Sequence, residues 1–575
     1  LFGSDSIKTA DSSKPLVVLG LSGALGHDPS AALFINGELI AAAEEESFIR
    51  KKHEKNHMPL EAASFCLDFA SLRPSEVDVV AFPFAGAGLL QPDRWRYARR
   101  YWYAPDRALD AIFNGNRHYR GNVRRVRDVL EKLHISWDRV QFDAVPHHLS
   151  HASSAYHLCG FTEKTAILGI DGKGEYATTF FGWGENGRIH RIAEFYDPDS
   201  LGQLYASFTE YLGFEMLDGE YKVMGMAPFG DPDKYDLSRL VDFDGKKIRV
   251  NTDFVNTVGL RRYREAGRGF YFSTKLVEWL GPRRVGDVAD DSYVHYATAI
   301  QRLYEDISLA LIDHFLGDIL EETGKLALAG GGALNVKLNQ RILARPDVEE
   351  LFVQPAANDS GIAVGAASYA TWRRNVPVAP LRHVYLGPAY TTDECVAAHE
   401  GRPRFQQVDN VPKVAAELLA AGNPVTWSQG RMEFGPRALG GRSILGCPSV
   451  CGVADRISEQ IKFRERRRPF CPSVLPEVAP YMTVTFDVAD EWRERIPEVV
   501  HEDGTARIQV VDKAANPRYY ALLQEMQAIT GNVAVLNTSL NRRGEPMVCS
   551  PQDALNMFFG SDLKYLFLED LLVTK

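Results

Sequence analysis

The sequence predicts an α/β protein, and two stretches of matching design, followed by one long helix, carry that prediction. Leu16-Val17-Val18-Leu19-Gly20-Leu21 is a continuous apolar run, the pattern of a strand buried on both faces. A tight loop with Gly23, Gly26, His27, Asp28 and Pro29 follows. Residues 31–35 and 39–43 then flank Asn36-Gly37, a dipeptide that favours a type I′ hairpin turn. Residues 165–170 start the same scheme again: an apolar strand, the loop Asp171-Gly172-Lys173-Gly174, and a second strand over 176–183. Residues 293–322 place Ala297, Ile300, Tyr304, Ile307 and Leu311 on one helical stripe.

Two such strand–loop–strand units predict a duplicated ribonuclease H-like core. This is the actin-like arrangement, in which the first loop lies along nucleotide phosphates. Between the units, residues 59–70 read as a helix, and 77–82 and 140–145 as strands. Residues 93–127, rich in Arg, Tyr and Trp, read as a helical insertion covering a site. The run 44–55 reads as a solvated charged face. Residues 220–230 read as a glycine-punctuated loop around one buried lysine, Lys222. Residues 326–329 form a strand opening onto Gly330-Gly331-Gly332 and Asn335, where backbone N–H groups can approach a nucleotide closely. A linker with prolines and glycine over 376–390 gives a tail over 1–14, a first domain over 15–385 and a second over 386–575.

At 575 residues the chain is long enough for several domain-sized units, and 45% hydrophobic with 24% charged residues is a soluble globular composition. A net charge of -10 argues against a nucleic-acid partner. No apolar run approaches the roughly 18 residues of a membrane helix, and no leader is expected before Leu16. Seven scattered cysteines predict free thiols and a cytoplasmic location. The chain holds no G-x-x-x-x-G-K-[ST] loop, and the glycines after Asp171 lack the third one of a dinucleotide loop. A homo-oligomer is compatible with all of this.

His147 and His151 lie one helical turn apart, so both imidazoles project from one face. That pair suits a divalent metal or an ordinary core. Asp359, just before the small-residue helix 362–370, is either its N-cap or the carboxylate the pair lacks. Further on, Ser428, Gln429, Gly430 and Arg431 stand at a strand exit, and Arg437 sits in Gly435-Pro436-Arg437-Ala438-Leu439-Gly440. Lys462 and Arg468 belong to a basic run, and Arg507 and Arg518 add two more cations. Asn537-Thr538-Ser539 ends a strand with amide and hydroxyl donors. Arginines spaced by glycine clamp phosphate bidentately. An acidic chain that gathers its cations there predicts a polyanion such as a nucleoside triphosphate.

These motifs resemble the NodU/CmcH family of O-carbamoyltransferases over nearly the whole chain. The segments that carry the likeness are Gly26-His27-Asp28-Pro29-Ser30-Ala31-Ala32, Ala43-Glu44-Glu45-Glu46, His147-His148-Leu149-Ser150-His151, Lys222-Val223-Met224-Gly225, Asn358-Asp359-Ser360-Gly361, the Gly435–Gly440 motif, Arg468-Pro469-Phe470 and Leu536-Asn537-Thr538-Ser539. The resemblance implies an actin-like N-terminal domain with iron on His147, His151 and Asp359, and a YrdC-like C-terminal domain that makes carbamoyl adenylate. Carbamoyl phosphate and ATP with Mg2+ would be its substrates. Arg437, Lys462, Arg507 and Arg518 would neutralise phosphate charge. His27 would be the general base, with a pKa near neutrality, or a loop histidine capping the backbone. The antibiotic-tailoring members look most similar, which implies the aminoglycoside tobramycin as acceptor, its ammonium groups meeting Asp28, Asp171 and Glu220. One departure is Leu149-Ser150, where the related tRNA-modifying protein has Glu-Gly, so substrate contacts do not carry over from it. A tRNA-modifying protein and an actin-like sugar kinase are the rival expectations.

Overall fold

The computed structural model describes residues 14–23, 26–86, 92–101, 104–255, 270–285, 292–398, 405–462, 470–475 and 481–575. The expected tail, all but Lys14, lies outside them, as does Arg468. Two compact units emerge. The first holds residues 1–45, 53–334 and 341–381, and the second 46–52, 335–340 and 382–575.

The first unit contains the same sheet twice. β1 (Val17–Leu21) pairs antiparallel with β2 (Ser30–Ile35), and β2 with β3 (Glu38–Glu44). β4 (Val79–Phe82) and β5 (Gln141–Ala144) then add in parallel, giving the order β3-β2-β1-β4-β5. The second sheet follows this plan with β6 (Thr165–Ile170), β7 (Ala177–Glu185), β8 (Arg188–Tyr196), β11 (Lys325–Ala329) and β12 (Glu350–Val353), in the order β12-β11-β6-β7-β8. β7 runs antiparallel to both neighbours, and β11 runs parallel to β6 and β12. A short ribbon, β9 (Val241–Phe243) with β10 (Ile248–Val250), lies between them in sequence. This topology is the duplicated ribonuclease H-like core of actin-like folds.

Local chemistry accounts for the repeat. Asn36 and Gly37 have φ of 51° and 86° and join Ile35 to its partner Glu38, as a type I′ turn requires. Asn186 and Gly187 do the same between β7 and β8, with φ of 52° and 78°; that second Asn-Gly signal was open to sequence reasoning and passed over. Each sheet is followed by a helix of small residues, His147–Tyr156 after β5 and Gly361–Trp372 after β12. These two helices touch backbone to backbone: a Cβ on Gly365 would stand 1.8 Å from the carbonyl oxygen of Ser150. Ser153 and Ser368 hydroxyls meet across the same contact at 2.8 Å. On its other side the helix Gly361–Trp372 rests on β1, where a Cβ on Gly20 would stand 2.1 Å from the Ala363 carbonyl oxygen.

Two expectations are corrected. Residues 220–230 are a helix, Glu220–Met226, continued by a 3-10 turn, Ala227–Phe229. The glycines suggested a loop, but Val223 and Met224 are buried, and Thr298 of the long helix Ser292–Thr323 donates to the Ala227 carbonyl at 2.6 Å. Lys222 is only half buried, its ammonium 5.1 Å from the centre of the Phe214 ring. The charged run 44–55 is not a uniformly solvated face. Glu45 is buried and accepts from the Ala62 and Glu61 N–H groups, closing the start of the helix Leu60–Phe69. The insertion is helical as expected, over Pro92–Arg100 and Pro105–Lys132.

The second unit is built on an eight-stranded mixed sheet. Its strands are β13 (Phe405–Gln407), β14 (Val425–Ser428), β15 (Arg442–Gly446), β16 (Cys471–Val474), β19 (Gln509–Val510), β20 (Ala534–Ser539), β21 (Tyr565–Leu568) and β22 (Leu571–Thr574). They run β13-β22-β21-β14-β15-β20-β16-β19. β17 (Phe486–Asp487) and β18 (Thr505–Ala506) pair apart from it. Helices Val411–Ala420 and Pro517–Thr530 pack their Leu419, Tyr519, Leu522 and Met526 around Trp427 and Val535, one core of this unit. All seven cysteines of the chain are unpaired.

The helix crossing has a direct test. Gly365→Ala forces two backbones apart and is expected to destabilise the protein by about 2–3 kcal/mol, the scale of overpacking a tight core. Gly121→Ala, in a helix where a Cβ meets nothing within 4 Å, is expected to stabilise it by up to about 1 kcal/mol. Urea unfolding midpoints of the two variants should move in opposite directions.

Candidate metal centre and anion site

The helix crossing brings His147 and His151 to the loop before Gly361. His147, His151, Asp171 and Asp359 are all buried, and each offers one ligand atom within 4.8 Å of the others. The two Nε2 atoms are 3.1 Å apart. Asp171 Oδ2 lies 3.4 Å from His147 Nε2, and Asp359 Oδ1 lies 3.6 Å and 3.7 Å from the two imidazoles. Ligands bonded at about 2.1 Å to a single cation stand this far apart. Two imidazoles and two carboxylates suit a borderline divalent metal, iron and zinc included. Asp359 is not the helix cap: Ser360 occupies that position, without a side-chain cap bond.

The electrostatics favour a cation as well. Burial opposes charging His147, yet Asp359, Asp171 and Glu175 raise its pKa to about 9. Asp171 is held well below the usual carboxylate range, although burial works against it, because His147 and His151 face it. His148 lies beside the pair, and burial together with His147 pushes it down to about 3, so it stays neutral. Without a metal, the cluster satisfies two buried carboxylates only by holding protons. A divalent ion held by these residues would take over that charge.

Each neighbouring loop closes on this point. Asp171 also accepts the Gly331 N–H at 3.1 Å, which ties the glycine turn after β11 to the centre. A Cβ on Gly174 would strike the His147 ring at 2.9 Å, and one on Gly26 would meet Asp359 Oδ2 at 2.9 Å. Glu175 accepts the His147 N–H and the Ala85 N–H, capping the histidine helix at its N-terminus. Sequence reasoning missed Glu175, and it gave Asp171 to substrate ammonium groups. In the structure Asp171 lies with His147, His151 and Asp359 in one cluster that could hold a metal ion.

His27 Nδ1 is 2.8 Å from Asp28 Oδ2, and its Nε2 is 3.9 Å from Asp359 Oδ2. Asp28 also meets His53 Nδ1 at 2.6 Å and the Asn358 amide at 2.8 Å, so its oxygens are occupied inside the protein. The expected near-neutral pKa of His27 is corrected. Burial lowers it, but Asp359, Asp28 and Asp171 outweigh burial and raise it to about 9. Glu220 keeps Oε2 buried with no partner, and burial raises its pKa. Gly330 has φ of 89°, and its Cα packs on the Ile170 carbonyl, a position no side chain could take. Gly332 lies under the Tyr304 hydroxyl, which donates to its carbonyl. Asn335 belongs to the second unit, where its Oδ1 accepts the Leu338 N–H.

In the second unit, Lys462 is buried and donates to Ser539 Oγ at 2.9 Å and Asn541 Oδ1 at 2.6 Å. Arg507 Nε is 2.9 Å from Cys471 Sγ. Asn537, on β20 like Thr538 and Ser539, donates to Ala438 O, Ser473 Oγ and Gln509 Oε1, and its own Oδ1 is buried without a partner. Arg437 is half buried in the loop before β15. Other candidates hold internal partners. Arg518 bonds Gln429, Glu569 and Asp570, and Arg431 bonds the Leu386 and Gly387 carbonyls. Gly430 donates to Glu569, and Ser428 is buried at the end of β14. Among the described residues no helix is long and apolar enough to cross a membrane.

Known proteins resemble this chain across both units. The family profile described as Carbamoyltransferase N-terminus matches residues 17–368, and that described as Carbamoyltransferase C-terminus matches residues 416–575. Nodulation protein NolNO of Sinorhizobium fredii is 34% identical, over 97% of this chain and 83% of its own length. Nodulation protein U of Bradyrhizobium diazoefficiens is 33% identical, over 90% of this chain and 91% of its own. An uncharacterised protein of Synechocystis is 35% identical, over 97% and 96%. Among solved structures, HypF of T. kodakarensis covers 63% of this chain and 49% of its own at 12% identity with a TM-score of 0.30, too low to bear on function. With both of its profiles matched in order and relatives similar from end to end, the chain belongs to the carbamoyltransferase family of the NodU/CmcH type, and it is a carbamoyl-transferring enzyme.

Proposed function

We propose that the chain makes carbamoyl adenylate from carbamoyl phosphate and ATP with Mg2+ in its second, YrdC-like unit, and carbamoylates an alcohol in its first. The observation that carries this reading is the quartet of His147, His151, Asp171 and Asp359 with His27 beside it, in a chain whose second unit buries Lys462 among hydroxyl and amide groups. In the second unit, water cleaves carbamoyl phosphate to carbamate and phosphate. A carbamate oxygen then attacks the α-phosphorus of ATP and pyrophosphate leaves. Arg437, Lys462 and Arg507 neutralise the charge that moves between these oxygens, and Arg518, held by Glu569 and Asp570, keeps the loop after β14 in place. Asn537, Thr538 and Ser539, with Arg468, complete the phosphate contacts, and Lys222 and Gly330–Gly332 hold the adenylate in the first unit.

In the first unit, an acceptor hydroxyl attacks the carbamoyl carbon, AMP leaves, and the hydroxyl proton passes to His27 Nε2. Asp28 fixes the His27 ring through Nδ1. His147, His151, Asp171 and Asp359 would hold a divalent ion, iron by family likeness, which would supply Lewis acidity and offset the carboxylate charge that keeps His27 protonated. The acceptor is an antibiotic hydroxyl, that of the aminoglycoside tobramycin, with Glu220 receiving an ammonium group. Asp28 and Asp171 are engaged elsewhere and leave Glu220 for that role.

Incubation with ATP, carbamoyl phosphate and tobramycin should yield AMP, pyrophosphate and a product heavier by one carbamoyl group. ADP as product, or turnover without carbamoyl phosphate, would contradict the scheme. Variants should separate the halves. His147→Ala is expected to lower the carbamoylated product by at least about 100-fold while pyrophosphate release continues, and Lys462→Ala to suppress pyrophosphate release by about 100- to 1000-fold. Equal loss of both activities in His147→Ala would make the histidines structural.

A further inference from the structure

His501 stands in the second unit at the turn before β18, and no step above uses it. A chain of contacts fixes its protons. Lys337 bonds Asp503 and also donates to Thr505 Oγ1 at 2.7 Å. Thr505 Oγ1 is 2.7 Å from Asp503 Oδ1 and 3.2 Å from His501 Nδ1. The threonine hydroxyl has one proton, and it goes to the closer, anionic partner, Asp503. His501 Nδ1 must then donate to Thr505 Oγ1, which leaves Nε2 as a bare lone pair. That Nε2 is shielded from solvent and has no hydrogen-bond partner among the described residues.

The ring cannot meet this shortfall by charging. Burial, Lys337 and Arg507 hold its pKa down to about 3. The result is a neutral acceptor with Lys337 paired to Asp503 and Arg507 as a further cation that acts on the ring, a combination that repels a bare phosphate oxygen from Nε2 while attracting an anion to the arginine. A ligand that fits must present an N–H or O–H donor next to a negative group. Inorganic phosphate lacks the first at its dianionic end, and acetyl phosphate carries a methyl group there. Carbamoyl phosphate and carbamate have an amino group on the carbon that bears the anionic arm.

We infer that His501 Nε2 accepts a hydrogen bond from the amino group of the carbamoyl substrate, with Arg507 on its anionic side, so that His501 sets the preference for carbamoyl over acyl phosphates. The inference rests on the reading of the second unit as the site where carbamoyl phosphate is consumed. Asp503, Thr505 and Lys337 are positioning residues, since they touch His501 or one another. No bond is made or broken by His501 in this role.

The test uses the full chain and two probes, carbamoyl phosphate and acetyl phosphate, titrated calorimetrically into wild type, His501→Leu and His501→Gln, with ATP-dependent pyrophosphate release measured alongside. Wild type should favour carbamoyl phosphate by about 10- to 100-fold, the effect of leaving a buried acceptor unpaired. His501→Leu should lose that preference by weakening carbamoyl phosphate alone, and His501→Gln, which keeps an acceptor oxygen, should recover part of it. Equal weakening of both probes, or an unchanged preference in His501→Leu with native-like unfolding, overturns the assignment. If the preference collapses as expected but wild type releases no pyrophosphate, recognition by His501 stands and adenylation in this unit fails.

Discussion

Everything at the candidate metal centre depends on one close approach, the backbone of Gly365 against the Ser150 carbonyl oxygen. Each repeat of the first unit ends in a helix, and neither helix alone carries a complete ligand set. Only when the two cross with almost no side chain between them does Asp359 reach the imidazoles of His147 and His151. The composition of both helices follows from this: Ser150, Ser153, Ser154 and Ala155 in one, Gly361, Ala363, Gly365, Ala366 and Ala367 in the other, nearly all fully buried. Small residues here are not weak core formers. They set a distance.

The repeat then explains the rest of the centre. The loop after β1 and the loop after β6 occupy equivalent places in their sheets, and both end at the crossing. One brings His27 and Asp28, the other Asp171 and Glu175. A duplicated fold thereby surrounds one point with carboxylates and imidazoles from four segments far apart in sequence. Burying so many ionisable groups costs stability unless charge is balanced within the cluster. Protons on His27 and His147 provide that balance in the protein alone, which is why both pKa values rise to about 9. In the second unit the logic reverses. There the buried Lys462 donates to hydroxyl and amide oxygens, and the half-buried Arg507 lies against the Cys471 thiol.

Much of this was legible in the chain. The apolar runs of β1 and β6 and the Asn36-Gly37 turn have purely local causes, and the structure places them as read. The H-x-x-x-H spacing put two imidazoles on one face for the same reason. What was misread depends on long-range contact. Glycines at 225 and 230 made residues 220–230 look like a loop, but packing against the helix Ser292–Thr323 imposes helix there. Asp171 looked like a contact for a substrate ammonium group, and no local pattern states that its loop faces a helix from the other repeat. The pKa of His27 could not be read from its own motif, since Asp359 and Asp171, which raise it together with Asp28, are 332 and 144 residues away. Arg431 and Arg518 looked like phosphate clamps by type and spacing; their internal carbonyl and carboxylate partners come from residues 386–387 and 569–570.

The central claim is that the two repeats jointly hold one divalent ion on two imidazoles and two carboxylates. X-ray absorption at the metal edge of the purified enzyme tests it most directly. The expected spectrum shows one ion per chain in a nitrogen and oxygen shell at about 2.0–2.2 Å, with the outer-shell scattering of two imidazoles. Protein that is fully active without metal, a shell containing sulfur, or scattering from fewer than two imidazoles would contradict it.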